Sequence, residues 1–188
     1  MMHEIADIEQ ELLRLSHRPP SEGAPPVLSA FDVRTTRPVA EFDARLRSVL
    51  APALRLALSQ SYEGGDLPVD GLPAWFVASR RGDSTTAPEP LGEGADRGAV
   101  ASGRASWDLQ EWLYQFDPES EFRGWAWWDL TRSGEREARI WVDSWGESFF
   151  ACDELRWLSY VAGGPDIDGP SLVNAADWTA AVSKVDGT

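Results

Sequence analysis

The chain is poor in the residues that staple small folds, hold metals and do most side-chain catalysis. Of 188 residues one is cysteine, Cys152, which excludes an intrachain disulfide. Two are histidine, His3 and His17, and both fall in the region of the first predicted helix. No Cys/His zinc spacing can be drawn from this set, nor a Ser/His/Asp constellation, and Cys152 has no base beside it in sequence, so it reads as a structural thiol. Lys184 is the sole lysine, and no glycine-rich phosphate loop leads into it. No apolar run approaches the ~20 residues that span a bilayer. The opening MMHEIADIEQ has neither the basic start nor the apolar stretch of an export signal, which makes the cytoplasm the expected compartment, with no membrane partner.

Positive charge is also scarce. Seventeen Lys and Arg stand against 31 Asp and Glu, a formal net charge of −14. The imbalance is uneven: residues 1–60 hold eight acids and seven bases, whereas residues 61–188 hold 23 acids and ten bases. Such a field repels nucleic-acid phosphate and draws basic partners inward, so a basic protein partner is expected and a nucleic acid is not. The hydrophobic fraction of 43% and charged fraction of 26% are those of an ordinary globular protein, and the length suits one domain over residues 1–188.

Tryptophan is what the chain has in excess. Eight of its ten tryptophans lie between Trp107 and Trp157, together with twelve acids. Ahead of that stretch, Ile5, Ile8, Leu12 and Leu15 recur at helical spacing over residues 3–17, with acids near the start and Arg14 and His17 near the end. Residues 19–26 read as a linker, and Phe31–Thr35 as a short strand. A second helix runs from Pro38 toward Gln60, with Pro52 expected to kink or divide it. Trp75–Ala78 reads as a strand. Residues 81–98 carry Leu91 as their one large apolar side chain and are expected to form a flexible loop; the Arg81-Gly82-Asp83 tripeptide within it is taken as a solvated turn.

From residue 107 onward the pattern is strand-like. Trp107–Phe116 is open to two readings, since Leu109, Trp112, Leu113 and Phe116 suit a helix face while the WLYQF composition suits a strand, and the Asp117-Pro118-Glu119-Ser120 turn tilts it toward a strand. Trp125–Thr131 and Ala138–Asp143 form a predicted hairpin across RSGERE, and Phe149–Phe150 is a further short strand. A helix begins at Asp153 and ends at Gly163-Gly164-Pro165, after which GPDIDGP is a turn. The fold expected is α+β, a small antiparallel sheet at about residues 107–150 packed with helices from the N- and C-terminal parts. If Arg132-Ser133-Gly134 close the hairpin with Gly134 left-handed, one sheet face carries Trp125, Trp127, Asp129, Arg139, Trp141 and Asp143; a two-residue turn instead groups Trp128 with Arg139, Trp141 and Asp143.

Either register yields a face that is aromatic and charged, with Asp129 able to pair with Arg139. The candidate binding residues are therefore Trp125, Trp127, Asp129, Arg139, Trp141, Asp143, Trp145 and Glu147. Large indoles flanked by carboxylates suit the capture of a basic protein. The alternative is a small enzyme or ligand binder, its tryptophans lining a pocket and its acid–base groups drawn from Asp129, Asp143, Glu147, Asp153 and Glu154. Asp166 and Asp168 lack the further ligands of a calcium loop, and no metal or cofactor is expected. In size, acidic field and lack of a catalytic motif the chain resembles the broad class of cytosolic immunity or inhibitor proteins that neutralise toxins, a resemblance of character and not of motif. The binding reading is preferred to the enzymatic one. Deleting most of 81–98 is expected to leave the melting temperature close to that of the parent, and limited proteolysis is expected to cut there first.

Overall fold

Helix α1 (Ile5–Ser16) turns Ile8 and Leu15 inward, as the spacing predicts, but leaves Ile5 exposed. The computed structural model describes residues 4–79, 108–120 and 122–186; the loop expected at 81–98, its Arg-Gly-Asp tripeptide and Trp107 lie outside them. After a 3-10 turn at Ser21–Gly23 within the predicted linker, β1 (Val27–Arg34) starts earlier and runs longer than expected. Helix α2 (Val39–Ser59) continues unbroken through Pro52 and buries Phe42, Leu46, Val49, Leu50 and Leu54. Each such side chain contributes about 1.5–3 kcal/mol on leaving water.

Two expected strands are helices. Trp75–Ala78 falls in α3 (Ala74–Ala78), where Pro73 fixes the entry and its carbonyl accepts from the Phe76 and Val77 N–H groups at 3.0 and 3.1 Å. Trp112–Tyr114 of the WLYQF segment fall in α4 (Leu109–Tyr114), with Gln115 and Phe116 in the turn that ends it, because the Asp108 carboxylate accepts from the Gln110 and Glu111 N–H groups at 2.8 and 3.0 Å. That cap, with Leu109, Trp112 and Leu113 sharing a buried face, outweighs the strand propensity of the aromatics. Phe149 and Phe150 form no strand. Helix α5 (Asp153–Ala162) matches the prediction and ends at Gly163, left-handed at φ 111°. At Gly164 a Cβ would come within 2.6 Å of the Val33 side chain, so the helix exit packs against the sheet only because that residue is glycine. The expected turn around Asp166 is the start of a strand, β4 (Asp166–Asn174), followed directly by α6 (Ala175–Asp186).

With the hairpin strands β2 (Ala126–Arg132) and β3 (Glu137–Asp143), the sheet has the order β2-β3-β1-β4, antiparallel throughout. The fold is α+β, and its sheet is wider than residues 107–150, since β1 and β4 join from either side of that stretch. Phe31 and Val33 of β1 face the main core with α2 to α5, while Leu28 and Ala30 face a smaller cluster with Trp128, Trp141 and Trp178 of α6. Among the described residues no helix is long and apolar enough to cross a membrane.

The outer edge of β2 is closed by α1. Glu11, inside the apolar stripe of α1 and 1% exposed, accepts from the Trp127 N–H at 2.7 Å and forms a bidentate pair with buried Arg123 at 2.7 and 2.9 Å. Arg14 donates to the Trp127 carbonyl at 2.8 Å and Arg18 to the Leu130 carbonyl at 3.3 Å. Three side chains of one helix and its exit thus occupy the backbone groups a neighbouring strand would use. Arg47 of α2 caps the C-terminal end of α1 by donating to the Arg14 and Leu15 carbonyls at 3.1 and 2.7 Å. Glu11→Gln removes the charge of the bidentate partner of the buried Arg123 guanidinium and is expected to cost about 3–5 kcal/mol in urea unfolding, part of which Glu11→Gln combined with Arg123→Met restores.

Candidate functional site

The sheet face expected to gather indoles and charges is built differently from either predicted register. Trp127 pairs with Val142 and Asp129 with Trp141, so Trp128 is the extra residue of a β-bulge. The bulge lets Trp128 and Asp129, consecutive in sequence, lie on the α6 side of the sheet, and it sends Trp127 to the main core. Gly134 is not among the left-handed glycines, and the hairpin closes with the Ser133 and Gly134 N–H groups both donating to the Glu137 carbonyl, at 2.8 and 3.1 Å.

The eight expected residues therefore separate. Trp125, Trp127, Asp129 and Trp141 are each 0% exposed. Trp125 donates its indole N–H to Glu154, and Trp141 donates to Thr131 at 2.8 Å. Asp129 does not meet Arg139: its carboxylate accepts from Arg18 at 2.8 Å and from the Trp178 indole at 3.0 Å. Arg139 pairs instead with Asp32 through two bonds of 2.7 and 2.8 Å, which raise the guanidinium pKa further, while its guanidinium sits 5.5 Å over the Trp141 ring. Asp143 is the last residue of β3, and Trp145 and Glu147 lie on the loop that follows it.

Helix α6 covers only part of this face. Beyond it the strands carry two rows of charge, Glu137–Arg34–Asp166 and Arg139–Asp32–Asp168, set by direct cross-strand pairing. The rows border a cleft of about 350 Å³ whose lining includes Asp32, Arg34, Glu137, Asp166 and Asp168. Asp32 and Asp168 face each other as like charges, an arrangement that costs stability on a sheet. None of the cleft's lining residues is a tryptophan, and among the described residues no three His, Cys, Asp or Glu side chains are grouped to hold a metal ion. In the sequence Asp166 and Asp168 stand out only as possible oxygen ligands in a turn, because GPDIDGP reads as one, and nothing there joins them to Asp32, Arg34 and Glu137, which strand pairing brings beside them. The available signal was the alternation of Asp166 and Asp168 around an apolar Ile167.

The loop after β3 is tightly hydrogen-bonded. Asp143 accepts from the Trp145 N–H at 2.8 Å, and the Glu147 N–H donates to the Ser144 carbonyl at 2.9 Å. The Ser144 hydroxyl reaches both the Ser29 hydroxyl at 2.8 Å and the Glu147 carbonyl at 2.9 Å. Trp145 takes a left-handed φ of 53°, uncommon for a bulky residue. Burial raises the Asp143 pKa, with the Trp145 N–H and Arg14 opposing the rise.

A further carboxyl, Glu154, is buried in the first turn of α5. It accepts from the Trp125 indole through its side chain and from the Trp112 indole through its carbonyl, the latter at 3.0 Å. Burial pushes its pKa up to about 7, against the indole bond and the charge of Arg123. Comparisons with protein-family models, with curated proteins and with solved structures found no match.

Because the folded protein holds the Glu154 proton more tightly than the unfolded chain does, this group stabilises the fold fully below its ordinary value of 4.5, and the contribution is lost as pH rises through about 7. The loss is on the order of 3 kcal/mol. Glu154→Gln is expected to flatten that slope and to raise the melting temperature relative to the parent at pH 8, as thermal melts across pH 4–8 will show.

Proposed function

We propose that this chain is a non-enzymatic protein that captures a basic protein partner, acting in the cytoplasm in the manner of an immunity or inhibitor protein. The observation that supports the reading most directly is the uncovered part of the sheet face. Its six charged positions hold four carboxylates, Asp32, Glu137, Asp166 and Asp168, against Arg34 and Arg139. Arg139 already balances Asp32, but Asp168 stands opposite Asp32 on the next strand, and a guanidinium or ammonium brought to Asp168 relieves the repulsion that remains. The tryptophans serve this surface from beneath: buried Trp141 supports Arg139, which in turn holds Asp32 in place. The overall charge of −14 adds long-range attraction for a cationic partner.

The test begins with the tagged full-length chain, capture from the native host and identification by mass spectrometry, followed by titration of the purified partner. A basic partner is expected, with an association rate that falls steeply from low to physiological salt. Asp166→Asn combined with Asp168→Asn, which leaves the Asp32–Arg139 pair intact and removes the like charge opposite Asp32, is expected to slow association about tenfold in a chain that still folds cooperatively, as its thermal melt will show. An acidic partner, or binding indifferent to salt, contradicts the reading.

A further inference from the structure

We infer that Phe149 is an apolar anchor for that partner, received by an apolar socket rimmed with arginine or lysine; the inference rests on the reading above and adds a contact at the other end of β3. Phe149 is 94% exposed, while the other exposed large apolar side chains range from 42% for Leu172 to 64% for Phe122. A ring so placed contributes no packing to the fold, yet the loop presenting it is fixed on both sides. On one side stand the Asp143–Trp145 and Ser144–Ser29 bonds with the left-handed Trp145. On the other, Phe150 packs edge-on to Phe31 with ring centres 6.4 Å apart. The backbone at Gly124 lies so close that a Cβ there would come within 2.7 Å of the Phe150 Cβ. Phe122, two residues before Gly124, is exposed on the segment that runs against this loop.

Order in the loop means that little freedom is lost when Phe149 is gripped, which is the condition under which a single aromatic dominates binding. The flanking charge selects the occupant. Glu147 and Asp153 are exposed on either side of Phe149, so an apolar socket with a basic rim meets both ring and carboxylates. The same carboxylates repel an anionic lipid surface, and a second copy of a chain carrying −14 is repelled likewise.

The test places p-benzoylphenylalanine at position 149 of the full-length chain in the native host, irradiates, and identifies the adduct. The adducted protein is then purified and titrated against the parent, Phe149→Ser, Phe149→Leu and the Asp166→Asn, Asp168→Asn pair. Phe149→Ser is expected to weaken binding at least about tenfold, chiefly through faster dissociation, with melting temperature and salt dependence unchanged, and Phe149→Leu to recover part of the loss. Parental affinity in Phe149→Ser, with binding still slowed by the Asp166/Asp168 pair, overturns the anchor and leaves the acidic capture standing. Indifference to all these variants and to salt overturns both. Phe149-dependent binding to phosphatidylcholine vesicles, or a Phe149-dependent dimer in ultracentrifugation, replaces the proposed occupant and overturns the inference.

Discussion

The Glu11 carboxylate is the point on which the rest of the fold leans. It sits in the apolar stripe of α1, balances the buried Arg123, and occupies the first free N–H on the outer edge of β2. Arg123 in turn lies over the rings of Phe116 and Trp125, so the ion pair joins α1, the approach to β2 and the aromatic core beneath α4. Charges this deep are tolerated only as partners, because their desolvation is repaid by mutual attraction and by the hydrogen bonds that use the remaining lone pairs. Here the backbone of Trp127 takes one of them. The same clamp explains why an edge strand of largely apolar residues does not need charged side chains of its own for protection.

What the sequence disclosed was whatever depends on local periodicity. Helices α1, α2 and α5 and the β2–β3 hairpin follow from spacing, caps and turn residues. Helix α3 was hidden, and α4 left ambiguous, because their aromatic composition suits a strand, and the deciding groups, the Pro73 carbonyl and the Asp108 carboxylate, act through the backbone. The bulge at Trp128 was not legible at all: one extra residue redistributes three indoles between two faces without leaving a mark in the pattern. Partner choice was equally hidden, since Asp129 finds Arg18 more than a hundred residues away instead of Arg139 on the next strand. Glu11 did leave a sign, an acid at the third position after Ile8 in an otherwise apolar stripe.

The tryptophan-rich stretch owes its composition mainly to construction. Trp112, Trp125, Trp127, Trp128 and Trp141 fill the space on the two sides of a narrow sheet. Arg14, Arg47, Arg123 and Arg139 lie against the rings, so much of the chain's limited positive charge is consumed by indoles and internal carboxylates. The acidity of the surface is sharpened where Arg14, Arg47 and Arg123 turn toward the core while Glu137, Glu147, Asp153, Asp166 and Asp168 stay in water. Aromatic excess and acidic excess are thus two results of one arrangement.

Asp129 also has a bearing on how the protein comes into being. Its Oδ2 atom receives Arg18 from one side and Trp178 of α6 from the other, so a single buried oxygen waits on segments that lie far to either side of it in the chain. Strand β1 likewise needs both β3 and β4, and β4 is made late. While the ribosome is still working through residues 126–143, the Trp128–Trp141 surface has no cover and β1 has a vacant edge. Closure therefore waits until β4 and α6 have followed β3 from the ribosome, and it is dominated by contacts between distant parts of the sequence, which form slowly. The growing chain carries its most aromatic surface unprotected for the time needed to add the next few dozen residues, which makes that interval the one in which assistance from a chaperone counts most.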